Sequence, residues 1–174
     1  FPHGRHEAAA LVAATVPGGR LFHEGQEEGR RIRLPVFAAR RPEEPVDSSL
    51  RAWYEKLLWL CRCQTLRRGA WRLHDIAGWT DNRSCERLIA WSWSYGCDRV
   101  LIVVNFSATA AQGRVRFPHG DRGDCTGHFV DVFTGENFHR PGDDLQGEGL
   151  FVDLLPWGRH VWVTMDVQQQ NSER

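Results

Sequence analysis

The chain has 174 residues, 41% hydrophobic and 25% charged, which is the composition of an ordinary globular protein of one or two small domains. Its formal net charge is zero and its pI is about 7.2, so its overall charge favours neither nucleic acid nor an anionic membrane as a partner. The apolar run at residues 101–104, like every other run here, is far shorter than the roughly 20 residues that a membrane helix needs. We therefore expect neutral or small partners.

Cysteine usage favours neither a zinc site nor a disulfide framework, because the set is odd in number and contains no CxxC spacing. We predict no metal ion, no cofactor and a reducing, cytoplasmic location. The sequence opens with Phe1 and has no basic leader before its first apolar stretch, so we interpret its start as internal sequence rather than a signal peptide. The cysteines are Cys61, Cys63, Cys85, Cys97 and Cys125.

The first predicted element is a short amphipathic helix. Apolar residues recur at helical intervals through residues 4–14, and Pro17-Gly18-Gly19 ends the run. A brief strand is predicted at residues 20–23. A long loop, rich in charge and proline, follows over residues 26–45. Such a loop is uncommon inside a compact domain unless it is functional or packs on another element.

The second predicted helix covers residues 49–63, where Leu50, Trp53 and Leu57 begin an i, i+3, i+4, i+7 pattern and Asp47 or Ser48 can cap the N-terminus. Beyond Gly69 the period changes to two, which is typical of strands. Seven short strands separated by turn residues predict an antiparallel β-sandwich of about 100 residues. The predicted strands are 71–76, 87–95, 100–106, 114–118, 128–133, 149–154 and 160–165.

These elements divide the chain into two regions and a tail. Residues 1–66 contain one strand and two helices, which cannot close a core, so we expect them to belong to a larger α/β body. Residues 67–167 form the all-β unit, of which we expect about residues 69–166 to fold alone, and residues 168–174 are a frayed polar tail. The apolar residues expected to stay exposed in the isolated chain, and to make it self-associate, are Leu11, Val12, Leu21 and Phe22.

Residues 16–29 read VPGGRLFHEGQEEG, and this block resembles the alpha-amylase family. In that family the eighth strand of the catalytic barrel follows a Pro-Gly turn, carries aromatics and ends in Gly-x-Glu. Pro17-Gly18, Phe22-His23 and Gly25-Gln26-Glu27 match this pattern in order and spacing. Arg20 departs from it, since the family usually has a second proline there.

The resemblance extends over nearly the whole chain. The sequence WYEKLLWLC resembles the family's eighth barrel helix, and the closing LFVDLLPWGRHVWV resembles the last strands of its domain C. The resemblance therefore implies a partial α/β barrel segment over residues 1–66, containing the last strand and last two helices of a TIM-type barrel. An all-β antiparallel sandwich similar to domain C is implied over residues 67–167.

The resemblance also implies that the chemistry lies elsewhere. Family members cleave or transfer α-glucosidic bonds with retention, using two Asp and one Glu residue that all precede the eighth barrel strand. Retaining catalysis needs two carboxyl groups about 5–5.5 Å apart. We therefore predict no catalytic residue here and no activity for the chain alone. An α-glucan or small α-glucoside would bind through the full-length enzyme, whose missing N-terminal barrel portion is the implied partner.

Glu27 is the first candidate substrate-binding residue. The resemblance places it at the C-terminal face of the barrel, where active sites of that fold gather. There it could act indirectly, by orienting a neighbouring arginine or a loop near the sugar. The alternative is a structural carboxylate paired with Arg30, Arg31 or Arg33.

Trp79 is the second candidate, because the loop GWTDN places it beside Asp81 and Asn82, the polar groups that a sugar would need. The alternative is a structural turn. Ile89, Trp91, Trp93 and Tyr95 alternate on one face of a strand and could also stack sugar rings, but such rows more often fill a sandwich core. The row's residues are therefore interpreted as core.

Two histidine motifs also have a structural interpretation that we prefer. His74-Asp75 partly matches the family's Asn-His-Asp motif, but Leu73 precedes it and the pair lies in the first strand pattern of the β region. His3 and His6 are spaced as neighbours on a helix, yet no third metal ligand accompanies them.

A second function remains open: a free-standing β-sandwich module for carbohydrate binding or protein interaction. The region before the sandwich separates the two hypotheses, because such a module has no use for a barrel strand and two barrel helices.

Overall fold

The computed structural model describes residues 3–32, 37, 40, 42–117, 128–139 and 148–164. Asp47 caps the second helix as its sequence predicts, since its Oδ1 accepts a hydrogen bond from the backbone N–H of Leu50 at 3.0 Å. In chain order the described elements are α1 (His3–Thr15), α2 (Ser48–Arg62), α3 (Gln64–Arg68), β1 (Ala70–His74), β2 (Ile76–Ala77), a 3-10 turn (Ser84–Arg87), β3 (Leu88–Tyr95), β4 (Asp98–Asn105), β5 (Ala111–Val115), β6 (His128–Asp131), β7 (Asn137–His139), β8 (Leu150–Leu154) and β9 (Arg159–Thr164).

The strands form two antiparallel sheets that pack face to face, so the predicted β-sandwich is confirmed. The larger sheet has the order β1-β3-β4-β9-β6-β7 and the smaller has the order β2-β5-β8. Helices α1, α2 and α3 cover the face of the larger sheet that points away from the smaller one. The described chain therefore has three layers: helices, a six-stranded sheet and a three-stranded sheet.

Strand β4 lies at the centre of this arrangement and is buried on both faces. Its last six residues, 100–105, are all buried, and they read as an almost continuous apolar run. Leu101 and Val103 point toward the smaller sheet, whereas Ile102 and Val104 point toward the helices. This is the pattern expected of a strand covered on both sides.

Two cores result, one on each face of the larger sheet. The inter-sheet core contains Leu88, Ala90, Leu101, Val103, Ala111, Val115, Phe129, Leu150, Val152, Leu154 and Trp162. The helix–sheet core contains Ala8, Ala10, Leu11, Ala14, Leu50, Trp53, Tyr54, Leu57, Leu60, Cys61, Leu66, Trp91, Trp93, Val100, Ile102, Val104 and Val161.

Polar contacts lock the helices onto the sheet. The indole N–H of Trp93 donates to the backbone carbonyl of Thr15 at 2.6 Å, which satisfies a free carbonyl at the end of α1. Arg159 of β9 pairs with Glu7 of α1 at 2.7 Å, and both side chains are only 17% exposed. The Arg159 guanidinium also lies over the rings of Trp53 and Phe133. These contacts fix the position of the helical layer on the sheet.

The structure corrects two expectations for the first region. Residues 20–23 form no strand with any described residue, because a strand needs a hydrogen-bonded neighbour and these residues belong to neither of the two sheets. Leu21 is accordingly 94% exposed. The prediction that Leu11 is exposed is also wrong. It is fully buried in the helix–sheet core, and Val12 and Phe22, predicted to be exposed with it, are partly buried against the same core.

Most predicted elements are found with shifted ends. The predicted strand at 71–76 divides at Asp75 into β1 and β2, which belong to different sheets. The predicted strand at 114–118 begins three residues earlier, and β7 and α3 were not predicted. The end of the strand predicted at 160–165, part of the loop at 26–45 and the tail at 168–174 lie outside the described residues.

Candidate functional site

A tight turn presents Glu27 next to the N-terminus of α2. Gly25 and Gly29 have φ angles of 76° and 70°, which glycine adopts without steric cost. The backbone N–H groups of Glu28 and Arg30 both donate to the carbonyl of Gly25, at 3.2 and 3.0 Å. The carbonyl of Glu28 accepts from the N–H of Asp47 at 3.1 Å. The Gly25–Gly29 turn is therefore rigid and anchored to α2.

A polar cluster of His6, Gln26 and Tyr54, hereafter the Tyr54 cluster, holds the turn against the helices. The Tyr54 hydroxyl accepts from Gln26 Nε2 at 2.7 Å and lies 2.8 Å from His6 Nε2. The ring of Phe22 packs edge-on against Tyr54, with 6.1 Å between centroids. Three separate chain segments thus meet at one buried tyrosine.

Burial raises the pKa of the Tyr54 hydroxyl above its ordinary value. The hydrogen bond from Gln26 acts in the opposite direction, and the negative charges of Glu27 and Glu7 add to the increase. The hydroxyl therefore stays protonated and can donate one hydrogen bond while it accepts another. This arrangement is suited to positioning the turn, not to proton transfer near neutral pH.

The structure places Glu27 half-buried in the turn. Arg30, one of the arginines proposed as its partner, pairs with Glu28 instead. Arg33 lies outside the described residues. Arg20, the departure from the family pattern, donates to the carbonyls of Cys61 and Leu66 at 3.4 Å and so joins residues 19–23 to the ends of α2 and α3.

His74 has a structural position. Its ring is buried, its Nδ1 lies 3.1 Å from the carbonyl of Arg116, and its Nε2 lies 2.8 Å from Ser92 Oγ. Both ring nitrogens therefore face partners within the sandwich. Asp75 is exposed between β1 and β2, so the two residues of the motif do not converge on a common cavity.

The aromatic row of β3 divides between core and surface. Trp91 and Trp93 are buried in the helix–sheet core, as the preferred interpretation predicts, although they pack under helices rather than between sheets. Tyr95 and Ile89, at the ends of the strand, are partly exposed.

The outer face of the three-stranded sheet carries a second candidate site, hereafter the Trp79 platform, formed by Trp79, Arg114 and Phe151. The rings of Trp79 and Phe151 lie 6.0 Å apart at 64°. The Arg114 guanidinium lies 5.9 Å from the Trp79 ring and 6.0 Å from the Phe151 ring. Sequence reasoning found Trp79 but missed the other two, because they come from strands whose pairing cannot be read from spacing.

A small cleft opens beside β8, between the two sheets. Its volume is about 80 Å³, well below the range of about 300–1,000 Å³ typical of small-molecule pockets. It is lined by Phe129, Phe138, Leu150, Phe151, Val152, Asp153, His160 and Trp162.

The described residues contain neither a cluster of metal ligands nor a candidate membrane span. No three His, Cys, Asp or Glu side chains gather there closely enough to hold a metal ion. Within the same ranges, no helix has the length and apolar character that a membrane span requires.

Comparison with known proteins points to one class of fold. No protein-family model matches the sequence, and no curated protein matches it. Among solved structures, a maltogenic alpha-amylase from Thermotoga neapolitana is similar, with a TM-score of 0.72 and 17% identity over 95% of this chain and 37% of that one. An Anoxybacillus alpha-amylase gives a TM-score of 0.68 at 15% identity, over 94% of this chain and 33% of that one.

A third similar structure is the alpha-amylase from Geobacillus thermoleovorans complexed with acarbose, with a TM-score of 0.67 and 14% identity. The match covers 96% of this chain and 34% of that one. The chain thus spans about a third of the length of these enzymes. Its fold, including both the helical layer and the sandwich, is one that occurs within alpha-amylases.

Proposed function

We propose that this chain is the C-terminal portion of an alpha-amylase-type glycosidase or transglycosidase that acts on α-glucosidic bonds. Residues 1–66 would supply the last strand and last two helices of the catalytic barrel, and residues 67–167 the domain C-like sandwich. One observation carries the proposal: 94–96% of the chain superimposes on alpha-amylases while covering only 33–37% of their length. A free-standing sandwich module would match over the sandwich alone.

The order of elements supports the barrel assignment. Residues 19–23 run between α1 and the Gly25–Gly29 turn without a hydrogen-bonded strand on either side among the described residues. The exposed side chain of Leu21 lies in this segment. A barrel strand has a partner on both edges and apolar neighbours on both faces. Restored neighbours would cover Leu21 and complete the ladder.

In this enzyme the chain would act by positioning. The Tyr54 cluster holds the Gly25–Gly29 turn at the end of the proposed barrel strand. Glu27 would then orient an arginine or a loop near the bound sugar, while the acid, the nucleophile and the stabilising carboxylate come from the missing barrel portion. The proposed substrate is an α-glucan or a small α-glucoside.

Activity assays of the isolated chain test whether the catalytic residues lie outside it. Purified protein should release no reducing sugar from starch, maltodextrin, sucrose or aryl α-glucosides above an enzyme-free blank, because it holds none of the proposed catalytic carboxylates. Turnover that disappears on His74→Ala or Asp75→Ala would place the chemistry in this chain and overturn the proposal.

The coding sequence before Phe1 provides a second test. We expect an Asn-His-Asp motif shortly upstream, within a continuous reading frame. Its absence there, or a frame without further barrel strands, would contradict the proposal.

The role of Glu27 requires the longer enzyme. There Glu27→Gln should reduce activity while leaving measurable turnover, because a positioning group is lost and not the nucleophile. Glu55→Gln, at an exposed position of α2, is the control and should have no effect. A folded Glu27→Gln enzyme at the uncatalysed rate would assign Glu27 a direct chemical role.

The alternative of a free-standing carbohydrate-binding or interaction module is favoured by one feature, the exposed Trp79 platform. Against it, the sandwich is covered by α1 and α2 through a shared core. A binding module would be expected to keep its core between the sheets, as autonomous sandwiches do.

A further inference from the structure

We propose that the Trp79 platform is a binding surface for a neutral α-glucan chain. The choice of α-linked glucose rests on the proposed function, whereas the platform itself is inferred from its own geometry. A polymer that lies across a surface needs no deep pocket, which fits a site on the outer face of the three-stranded sheet and the small volume of the neighbouring cleft.

The aromatic rings keep large exposed areas. Trp79 is 37% exposed and Phe151 is 44% exposed, whereas Trp91 and Trp162 in the two cores are almost completely buried. Aromatic rings present apolar faces on which the C–H side of a pyranose can pack. Two rings at 6.0 Å and 64° form an angled surface and not a single stack.

The backbone holds both rings in place. Trp79 belongs to a turn closed by two backbone hydrogen bonds with Asn82, at 3.2 and 3.1 Å. Phe151 lies on β8 directly opposite Arg114 on β5, and residues opposite each other point to the same face of a sheet. The surface is therefore preformed, and ligand binding would cost little ordering entropy.

Polar groups that suit sugar hydroxyls border the rings. Asn82 Nδ2 donates to Gln112 Oε1 at 3.3 Å, and Gln112 Nε2 donates to Asp153 Oδ2 at 3.0 Å. This row of planar amide and carboxylate groups retains lone pairs and N–H groups for further hydrogen bonds. Sugar sites combine such groups with aromatic rings to fix orientation.

The local charges favour a neutral ligand. Arg114 pairs with Glu148 at 2.8 Å, so its positive charge is compensated at the edge of the platform. Asp153 adds a negative charge that would repel phosphate or carboxylate ligands. A neutral oligosaccharide is not repelled by Asp153.

Affinity electrophoresis of the full chain through gels containing amylopectin tests the proposal. The unmodified chain should be retarded, and Trp79→Ala and Phe151→Ala should each weaken binding about tenfold or more, as expected when a central aromatic contact is removed. Trp71→Ala is the matched control, because Trp71 is also 37% exposed but lies on β1 of the other sheet. Titration with maltoheptaose should give the same ranking.

Thermal unfolding of each variant, compared with the unmodified chain, establishes that binding is measured on folded protein. If Trp79→Ala fails to fold, Phe151→Ala carries the test alone. Equal loss of retardation in Trp71→Ala, or no retardation of the unmodified chain, would overturn the platform and leave the proposed function intact. Retardation by a β-linked glucan with none by amylopectin would overturn the α-glucan as the ligand, while the proposed function is tested separately by the activity of the longer enzyme.

Discussion

The two cores of this protein share one sheet but differ in how far they depend on distant sequence. The inter-sheet core is built from strands whose alternating apolar residues are visible in the sequence. The helix–sheet core joins α1 and α2 to strands that follow much later, and the hydrogen bond from Trp93 to Thr15 spans 78 positions of the chain. The comparison teaches that a β-sandwich whose strand pattern suggests an independent domain can still need a layer of helices to cover the outer face of one sheet.

Removing the helical layer should destabilise the protein more than any of the single substitutions described below. A chain without residues 1–66 would expose Trp91, Trp93, Ile102 and their neighbours on one sheet face. Such an exposed apolar face favours association over a stable monomer. We expect the shortened chain to show no cooperative thermal transition by circular dichroism. We also expect it to bind a hydrophobic dye, which is measured by fluorescence.

The sequence alone favoured the opposite result, a sandwich that folds by itself. A cooperative transition and a monomeric mass for the shortened chain would restore that interpretation. It would also show that the helices are dispensable for folding.

Single residues can sharpen the same comparison. Leu57 is fully buried under the sheet, so Leu57→Ala should lower the free energy of unfolding by about 2–5 kcal/mol, through lost burial and the cavity that it leaves. Leu58, next in sequence, is 40% exposed, and Leu58→Ala should cost less than about 0.5 kcal/mol. Urea unfolding of both variants measures the difference, and equal effects would contradict the packing of α2.

The ion pair between the layers should have a somewhat smaller effect. Arg159→Ala leaves the Glu7 carboxylate largely buried without its partner, and it removes the cation that lies over the rings of Trp53 and Phe133. We expect a loss of about 3 kcal/mol in urea unfolding. The exposed pair of Arg83 and Glu86 is the control, since Arg83→Ala should change stability by at most about 1 kcal/mol.

Asp131 provides the smallest predicted effect and one that depends on pH. Burial raises the pKa of its carboxyl, but hydrogen bonds from His160 and from the backbone N–H groups of Thr134, Phe133 and Val161 together lower it below the ordinary value. The folded state therefore favours the ionised carboxylate. This stabilisation is present above the ordinary Asp range, about pH 4, and is lost as the pH falls through the lowered folded pKa.

The corresponding variant is Asp131→Asn, which should cost about 2 kcal/mol at neutral pH. The difference from the unmodified chain should shrink below about pH 4, in unfolding curves recorded from pH 7 to pH 3. Asp75→Asn, at an exposed position, should stay within about 0.5 kcal/mol throughout. A constant cost for Asp131→Asn over this range would contradict the assignment.

Local patterns predicted the elements of the fold well but not their neighbours. The apolar spacing of α2 and its cap at Asp47 were readable because both act within one or two helical turns. The division of the first predicted strand at Asp75 could not be predicted from the sequence, since it depends on β1 and β2 joining different sheets. The apolar run in β4 did contain a signal, because a strand buried on both faces loses its alternation.

The residues of the candidate sites could likewise be predicted only where they lie close together in the sequence. Trp79 could be selected because its polar neighbours are adjacent in sequence, and the Gly25–Gly29 turn could be selected from its motif. Tyr54 could not be selected from the sequence, because its role depends on hydrogen bonds with His6 and Gln26, which belong to other segments of the chain. Arg114 and Phe151 also required the strand register.

The pairing of Glu7 with Arg159 also has a consequence for synthesis on the ribosome. These residues are 152 positions apart, since 159 minus 7 is 152. At roughly 5–20 residues per second, the partner of Glu7 is synthesised about 8–30 s after it. During that interval α1 can already pack on α2, with which it shares the helix–sheet core, but its contact with β9 forms only after Arg159 has been synthesised.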